Sequence, residues 1–150
     1  LSPARFIASG FGVGFAPVAP GTAGSLLALL LGVLLILASP VALPVAALAA
    51  TLGGVWAIRA ARVDGDPSWV VIDEVAGQWI AMLPLPRPAW PGLVAAFLLF
   101  RLFDITKPGP VGWADRRHGA VGVMADDVIA GAIAAIILSL FRLFWPHIID

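Results

Sequence analysis

From Gly24 to Ile58 the chain carries no charged residue, and its only breaks are Ser39-Pro40 and Pro44. Gly24 to Ala38 reads GSLLALLLGVLLILA, and Val41 to Ile58 continues in the same character. The prolines mark a turn between two antiparallel apolar helices. Each would hold about 15–20 residues, roughly 22–30 Å at 1.5 Å per residue, which is enough to cross or nearly cross a hydrocarbon core. Gly53-Gly54 offers a close-packing spot in the second. Composition agrees: 61% of residues are hydrophobic, 12% are charged and the mean hydropathy is +1.01. An ordinary soluble domain is nearer one quarter charged, so the bilayer is the expected solvent.

Further along, Arg59 to Ser68 (RAARVDGDPS) is polar and turn-rich, and leaves the membrane. A third apolar segment, Val75 to Leu85, is too short for a full span and stops at Pro84, Pro86 and Pro88. A fourth runs from Pro91 to Phe103 and a fifth from Val128 to Trp145, with a polar connection from Asp104 to Asp127 between them. Trp145 suits an interfacial anchor. The expected fold is an all-α, polytopic helical membrane protein of about four to five membrane-embedded helices, a single domain over residues 1–150. The start at Leu1-Ser2-Pro3 lacks a basic n-region, so internal helices rather than a signal peptide are expected to direct insertion.

Several function classes fall away at once. A formal net charge of zero gives no basic excess for nucleic acid. Without cysteine there is no disulfide framework, thiolate zinc site or cysteine nucleophile. The distribution of charge says more than its sum. Arg5, Arg59, Arg62, Arg101, Lys107, Arg116 and Arg117 fall on one side of the zigzag, and only Arg87 and Arg142 on the other. The positive-inside rule makes the first side cytoplasmic. The same side collects Asp64, Asp66, Asp73, Glu74, Asp104, Asp115, Asp126 and Asp127, leaving Asp150 opposite. Insertion does not require that acidic asymmetry.

Three acidic groups stand where an apolar segment meets this boundary: Asp73-Glu74, Asp104 and Asp126-Asp127. Drawn together, five carboxylates would repel one another unless a cation neutralised them. Oxygen-only ligands favour Mg²⁺, Mn²⁺ or Ca²⁺ over zinc. The plainer role for Asp73, Asp126 and Asp127 is helix capping. Arg101, Lys107 and Arg116 are candidate phosphate clamps, although Arg101 and Asp104 also suit a simple intrahelical ion pair. Thr22 and Ser25, beside Gly21 and Gly24, could form an anion nest or simply cap a helix. The segment lacks the lysine of a nucleotide-binding P-loop. His118 is either a general acid and phosphate contact or an interfacial histidine. Arg117-His118-Gly119 also occurs in histidine phosphatases, but those need a second nearby histidine, and His147 lies at the far end of the last segment.

Four blocks together carry a family resemblance. They are Gly10-Phe-Gly-Val-Gly-Phe with Ala19-Pro-Gly-Thr-Ala-Gly-Ser25; Val71-Ile-Asp-Glu-Val-Ala-Gly77; Phe100-Arg-Leu-Phe-Asp-Ile-Thr-Lys-Pro108; and Asp115-Arg-Arg-His-Gly-Ala-Val-Gly-Val-Met-Ala-Asp-Asp-Val-Ile-Ala-Gly131. In this order the chain resembles bacterial phosphatidylglycerophosphatase A over nearly its whole length. The resemblance implies a Mg²⁺-dependent lipid phosphatase in the bacterial inner membrane, its site facing the cytoplasm, converting phosphatidylglycerophosphate to phosphatidylglycerol. It further implies that Asp73, Glu74, Asp104 and Asp127 lie near the metal with Asp126 close behind, and that Lys107, Arg116 and His118 face the phosphate. The run Arg116-Arg117-His118 is more compact than the family pattern, which leaves open which arginine points inward. Membrane phospholipid is the implied partner, and homo-oligomerisation is left open. The rival reading is a helical transporter or a cation-binding membrane protein without phosphatase activity. Transport would call for charges deep in the spans.

Overall fold

A computed structural model describes residues 1–150, and every regular element in it is helical. The helices are α1 (Pro3–Ala8), α2 (Pro20–Ala38), α3 (Ala42–Ala60), α4 (Ile72–Met82), α5 (Trp90–Thr106), α6 (Pro110–Asp115), α7 (Gly119–Phe144) and α8 (Pro146–Ile149), with a 3-10 turn at Val13–Phe15. Three of them, α2, α3 and α7, are long and apolar enough to span a membrane. The helical membrane class therefore holds, while the expected four to five spans reduce to three. α5 stops at 17 residues and α4 at 11. At 1.5 Å per residue α4 covers only about 16 Å, because Pro84, Pro86 and Pro88 end it early.

Side-chain size sorts in the sense lipid demands. On α2 the buried residues are Gly24, Ser25, Ala28 and Gly32, while Leu26, Leu30, Leu34 and Leu37 face outward. Along its middle α3 buries Ala47, Ala50, Gly54 and Ala57 and exposes Val45, Leu48, Leu52 and Trp56, with the larger Leu43 and Ile58 buried only toward its ends. Burying large apolar groups gains little when lipid is the alternative, so helices associate through small residues that let backbones approach. α4 is the axis of the bundle. It lies among α2, α3, α5 and α7, with α7 its most extensive neighbour. At that crossing a Cβ on Gly77 would meet the Phe100 ring and the Asp127 carbonyl, and one on Gly131 would meet the Gly77 carbonyl. The indole of Trp79 pins the other flank, donating to the Ala28 carbonyl of α2 at 2.8 Å.

Two element boundaries move the acids. α7 begins at Gly119, so Asp126 and Asp127 lie two turns inside it rather than at its start. α4 begins after Val71, which puts Asp73 and Glu74 in its first turn without either being the cap. Nor do Thr22 and Ser25 cap α2, whose cap position is Ala19. Asp73, Asp126, Asp127, Thr22 and Ser25, the capping candidates, are therefore not N-caps.

Candidate functional site

Asp73 and Glu74 enter the bundle on α4, and Asp127 meets them from α7. One oxygen from each of the three lies within 4.8 Å of the others. Asp73 and Asp127 are 6% and 2% exposed. The Gly77–Gly131 contact, one turn further in, is what permits this approach: no side chain holds the two backbones apart. Asp73 Oδ1, Glu74 Oε2, Asp126 Oδ1 and Asp127 Oδ2 are all buried without a hydrogen-bond partner. Buried carboxylate oxygens are normally paired or bound to a cation. An oxygen-only set at this spacing fits a hard divalent ion such as Mg²⁺.

Two cations flank the triad, each already engaged. Arg101 on α5 pairs with Asp104 one turn on, and its other nitrogen donates to Thr22 of α2 at 3.3 Å. A Cβ on Gly21 would run into the Glu74 carboxylate and lie 3.6 Å from the Arg101 guanidinium, so this corner of α2 is also in the site. Lys107 ends α5 in a left-handed conformation, φ 47° and ψ 55°. Such a backbone costs a non-glycine residue roughly 1–2 kcal/mol. It turns the ammonium back to Asp126 at 2.5 Å and Asp115 at 2.8 Å. Burial alone would lower the Lys107 pKa, but hydrogen bonds to Asp115 and Asp126 outweigh it and hold the group above its ordinary range.

Beside the triad a polar cavity of about 320 Å³ opens between the α3–α4 loop and the start of α7. Asp64, Asp66, Asp115, Arg117, His118 and Asp126 line it. Asp126 thus joins two features: its backbone neighbour Asp127 completes the triad, and its own carboxylate meets the cavity. Asp66 stands at the rim. Desolvation raises its carboxyl above the ordinary range, Lys107 opposes the rise, and Asp115 and Asp104 add to it.

Of the residues expected from sequence, Asp73, Glu74 and Asp127 converge, with Asp126, Asp104, Arg101, Lys107 and Thr22 around them. Asp104 is held by Arg101 and is not one of the converging three. His118 lines the cavity rather than touching the triad. Ser25 is fully buried and its hydroxyl donates to the Gly21 carbonyl of its own helix, so it is spent on backbone. Arg116 is exposed and outside the cavity lining. Arg117 is exposed as well but does line the cavity, and its guanidinium lies 4.2 Å over the exposed Trp113 ring. Sequence reasoning missed Asp66, Asp115 and Arg117 as residues of the cavity. Their charge was the only signal.

Comparison with known proteins bears on this arrangement as a whole. The family described as phosphatidylglycerophosphatase A matches residues 6–142. A protein of Bacteroides thetaiotaomicron named "Putative phosphatidylinositol-3-phosphatase" is 43% identical over 146 residues, covering 91% of this chain and 91% of its own. Phosphatidylglycerophosphatase A of Escherichia coli is 36% identical over 149 residues, 97% of this chain and 87% of its own. The Haemophilus influenzae protein of the same name is 38% identical over 143 residues, 92% and 88%. No solved structure matches. The profile takes in the triad, both flanking cations and the cavity, and two relatives align over nearly the whole chain: it belongs to the phosphatidylglycerophosphatase A family, a family of lipid phosphomonoesterases.

Proposed function

We propose that the chain removes the terminal phosphate of phosphatidylglycerophosphate, giving phosphatidylglycerol, by Mg²⁺-dependent attack of water at the cytoplasmic face of the bacterial inner membrane. The observation that carries this reading is the triad of buried Asp73 and Asp127 with half-buried Glu74, one oxygen of each within 4.8 Å of the others and a buried, unpartnered oxygen on every one. Asp73, Glu74 and Asp127 would hold Mg²⁺, with Asp126 and Asp104 adding negative charge behind them. Bound there, the ion would polarise the phosphoryl oxygens and make water at the site more acidic.

The chain's own residues would do the rest. Lys107, Arg101 and Arg117 hold phosphate charge at the mouth, the first two in positions already fixed by Asp126, Asp115 and Asp104. The cavity of about 320 Å³ takes the glycerol of the headgroup, and its carboxylates Asp64 and Asp66 supply an acceptor for the one free hydroxyl. His118, on the same wall, protonates the departing alkoxide as the P–O bond breaks. The large outward leucines hold the bundle in lipid, so a substrate reaches the mouth while its acyl chains stay in the leaflet.

The test is phosphate release by purified protein from phosphatidylglycerophosphate in mixed micelles, with Mg²⁺ and with chelator. Release is expected only with Mg²⁺, and Asp127→Asn and Glu74→Gln are expected to lose roughly a hundredfold or more. Full release in chelator would end the metal reading. A second substrate belongs in the same assay, because the Bacteroides relative at 43% identity bears a phosphoinositide phosphatase name. Faster release from phosphatidylinositol 3-phosphate would assign the cavity to the inositol ring instead of glycerol.

A further inference from the structure

Every buried side-chain oxygen or nitrogen left without a partner belongs to one of five residues: Asp73, Glu74, Asp126, Asp127 and Gln78. Four are acids of the site. Gln78 is the only neutral member and it lies wholly inside the protein, 0% exposed. Neither its Oε1 nor its Nε2 meets a hydrogen-bonding group, although an amide can make up to about four hydrogen bonds. A glutamine buried in the middle of a membrane bundle with both ends unpaired is a poor choice for packing, since leucine or methionine would fill the same volume without stranding polar atoms.

Its position connects it to the site. Gln78 follows Glu74 by four residues on α4, which puts the two on one helix face a turn apart. Its neighbour Gly77 touches the Asp127 backbone and Phe100, while Trp79 is turned the other way to α2. The amide therefore lies beneath the carboxylates, deeper in the bundle. We propose that Gln78 is the floor of the site and a positioning residue. Its amide, a donor and an acceptor together, holds a water molecule against the Glu74 and Asp127 carboxylates and fixes their orientation toward the cation. A buried water commonly makes about three hydrogen bonds to groups that would otherwise go unpaired. Partners behind a ligand set typically affect metal affinity or rate by roughly tenfold to a hundredfold.

The inference rests on the Mg²⁺ reading above, and its test separates the two. Gln78→Met keeps the volume and removes both polar atoms. Wild-type and variant protein are compared by thermal unfolding in detergent with and without Mg²⁺, and by phosphate release over a Mg²⁺ series. The wild type is expected to gain melting temperature on adding Mg²⁺; if it does not, the metal reading fails before Gln78 is judged. Given that gain, Gln78→Met is expected to match or exceed the wild-type melting temperature without metal. Its Mg²⁺-dependent gain should be smaller, and its half-activating Mg²⁺ concentration higher by about tenfold or more. KM for the lipid should be unchanged. A Gln78→Met protein whose Mg²⁺-dependent melting gain and half-activating Mg²⁺ concentration equal those of the wild type overturns the proposal. So does a variant that melts lower without metal or fails to fold, with Gln78→Leu doing the same, because that assigns Gln78 to packing.

Discussion

Asp66 lies in the cavity wall within electrostatic reach of Lys107, and the perturbations of the two groups have opposite consequences for stability. The Asp66 carboxyl is raised above its ordinary 3.8 in the folded protein, first by desolvation and then by Asp115 and Asp104 against the pull of Lys107. As pH climbs past about 3.8 the unfolded chain gives up this proton first, so the native state loses stability until Asp66 has ionised too. Asp66→Asn should therefore raise the melting temperature of metal-free protein at neutral pH, and the gain should vanish below about pH 3.8. Thermal scans in chelator from pH 3.5 to 7.5 check this; a constant gain at every pH would exclude ionisation as its cause. Lys107 is also raised in the folded state, from 10.5, by Asp115 and Asp126 against the cost of burial. Its contribution is fully present below about pH 10.5 and is lost only as pH rises beyond that. Lys107→Met leaves Asp126 buried and unpaired. Allowing for the partial exposure of the lysine, it should cost about 1–3 kcal/mol near pH 8, with Lys107→Arg much milder. Denaturant unfolding of the two variants measures the difference.

At the scale of the element, the α4–α7 crossing decides whether the triad exists. A Cβ at Gly131 would fall on the backbone of Gly77, which has no rotamer with which to yield. Alanine gains about 1 kcal/mol over glycine in helix propensity, but forcing two backbones apart typically costs about 1–3 kcal/mol or more, so the clash wins. Gly131→Ala should lower the melting temperature and, by separating Asp127 from Asp73 and Glu74, reduce phosphate release further than the melting shift explains. Gly53→Ala on α3 is the control: nothing lies within 4 Å of its Cβ, so it should be neutral or stabilising. Equal effects of the two would sink the crossing argument.

Much of this scale was legible in the sequence. Acids beside apolar runs marked Asp73, Glu74 and Asp127, since charge at a membrane boundary is conspicuous against its neighbours. The start of α7 was not legible: Arg116, Arg117 and His118 read as loop, and glycines at 119 and 122 weaken the helical signal. That error turned two interior acids into apparent caps. The choice between Arg116 and Arg117 was invisible for a related reason, because it depends on the turn that ends α6 at Asp115. Gln78 gave no signal at all. A glutamine in a short helix is unremarkable until the helix is found surrounded on every side.

Over the whole molecule, the charged groups settle at two levels. At one lie the triad, Arg101, Lys107 and the cavity. At the other, Arg142 of α7 donates to the Pro84 carbonyl at 2.8 Å and to Asp150 at 2.5 Å, and Arg87 donates to the Asp150 backbone. This second cluster ties together the ends of α4, α7 and α8, and the apolar stretches of α2, α3 and α7 separate it from the first. Seven of the nine basic residues belong to the triad's side, which predicts that side to be cytoplasmic. The chain's lack of cysteine makes the prediction easy to test with single introduced thiols. Ser68, exposed in the α3–α4 loop, and Val41, exposed in the α2–α3 turn, lie at opposite levels. In right-side-out vesicles a membrane-impermeant maleimide should label Val41→Cys and leave Ser68→Cys untouched, and inverted vesicles should reverse the pattern. The opposite result would turn the site toward the periplasm. The substrate phosphate would then have to be presented from the outer leaflet, and the cytoplasmic part of the proposed function would fall while the carboxylate triad stood.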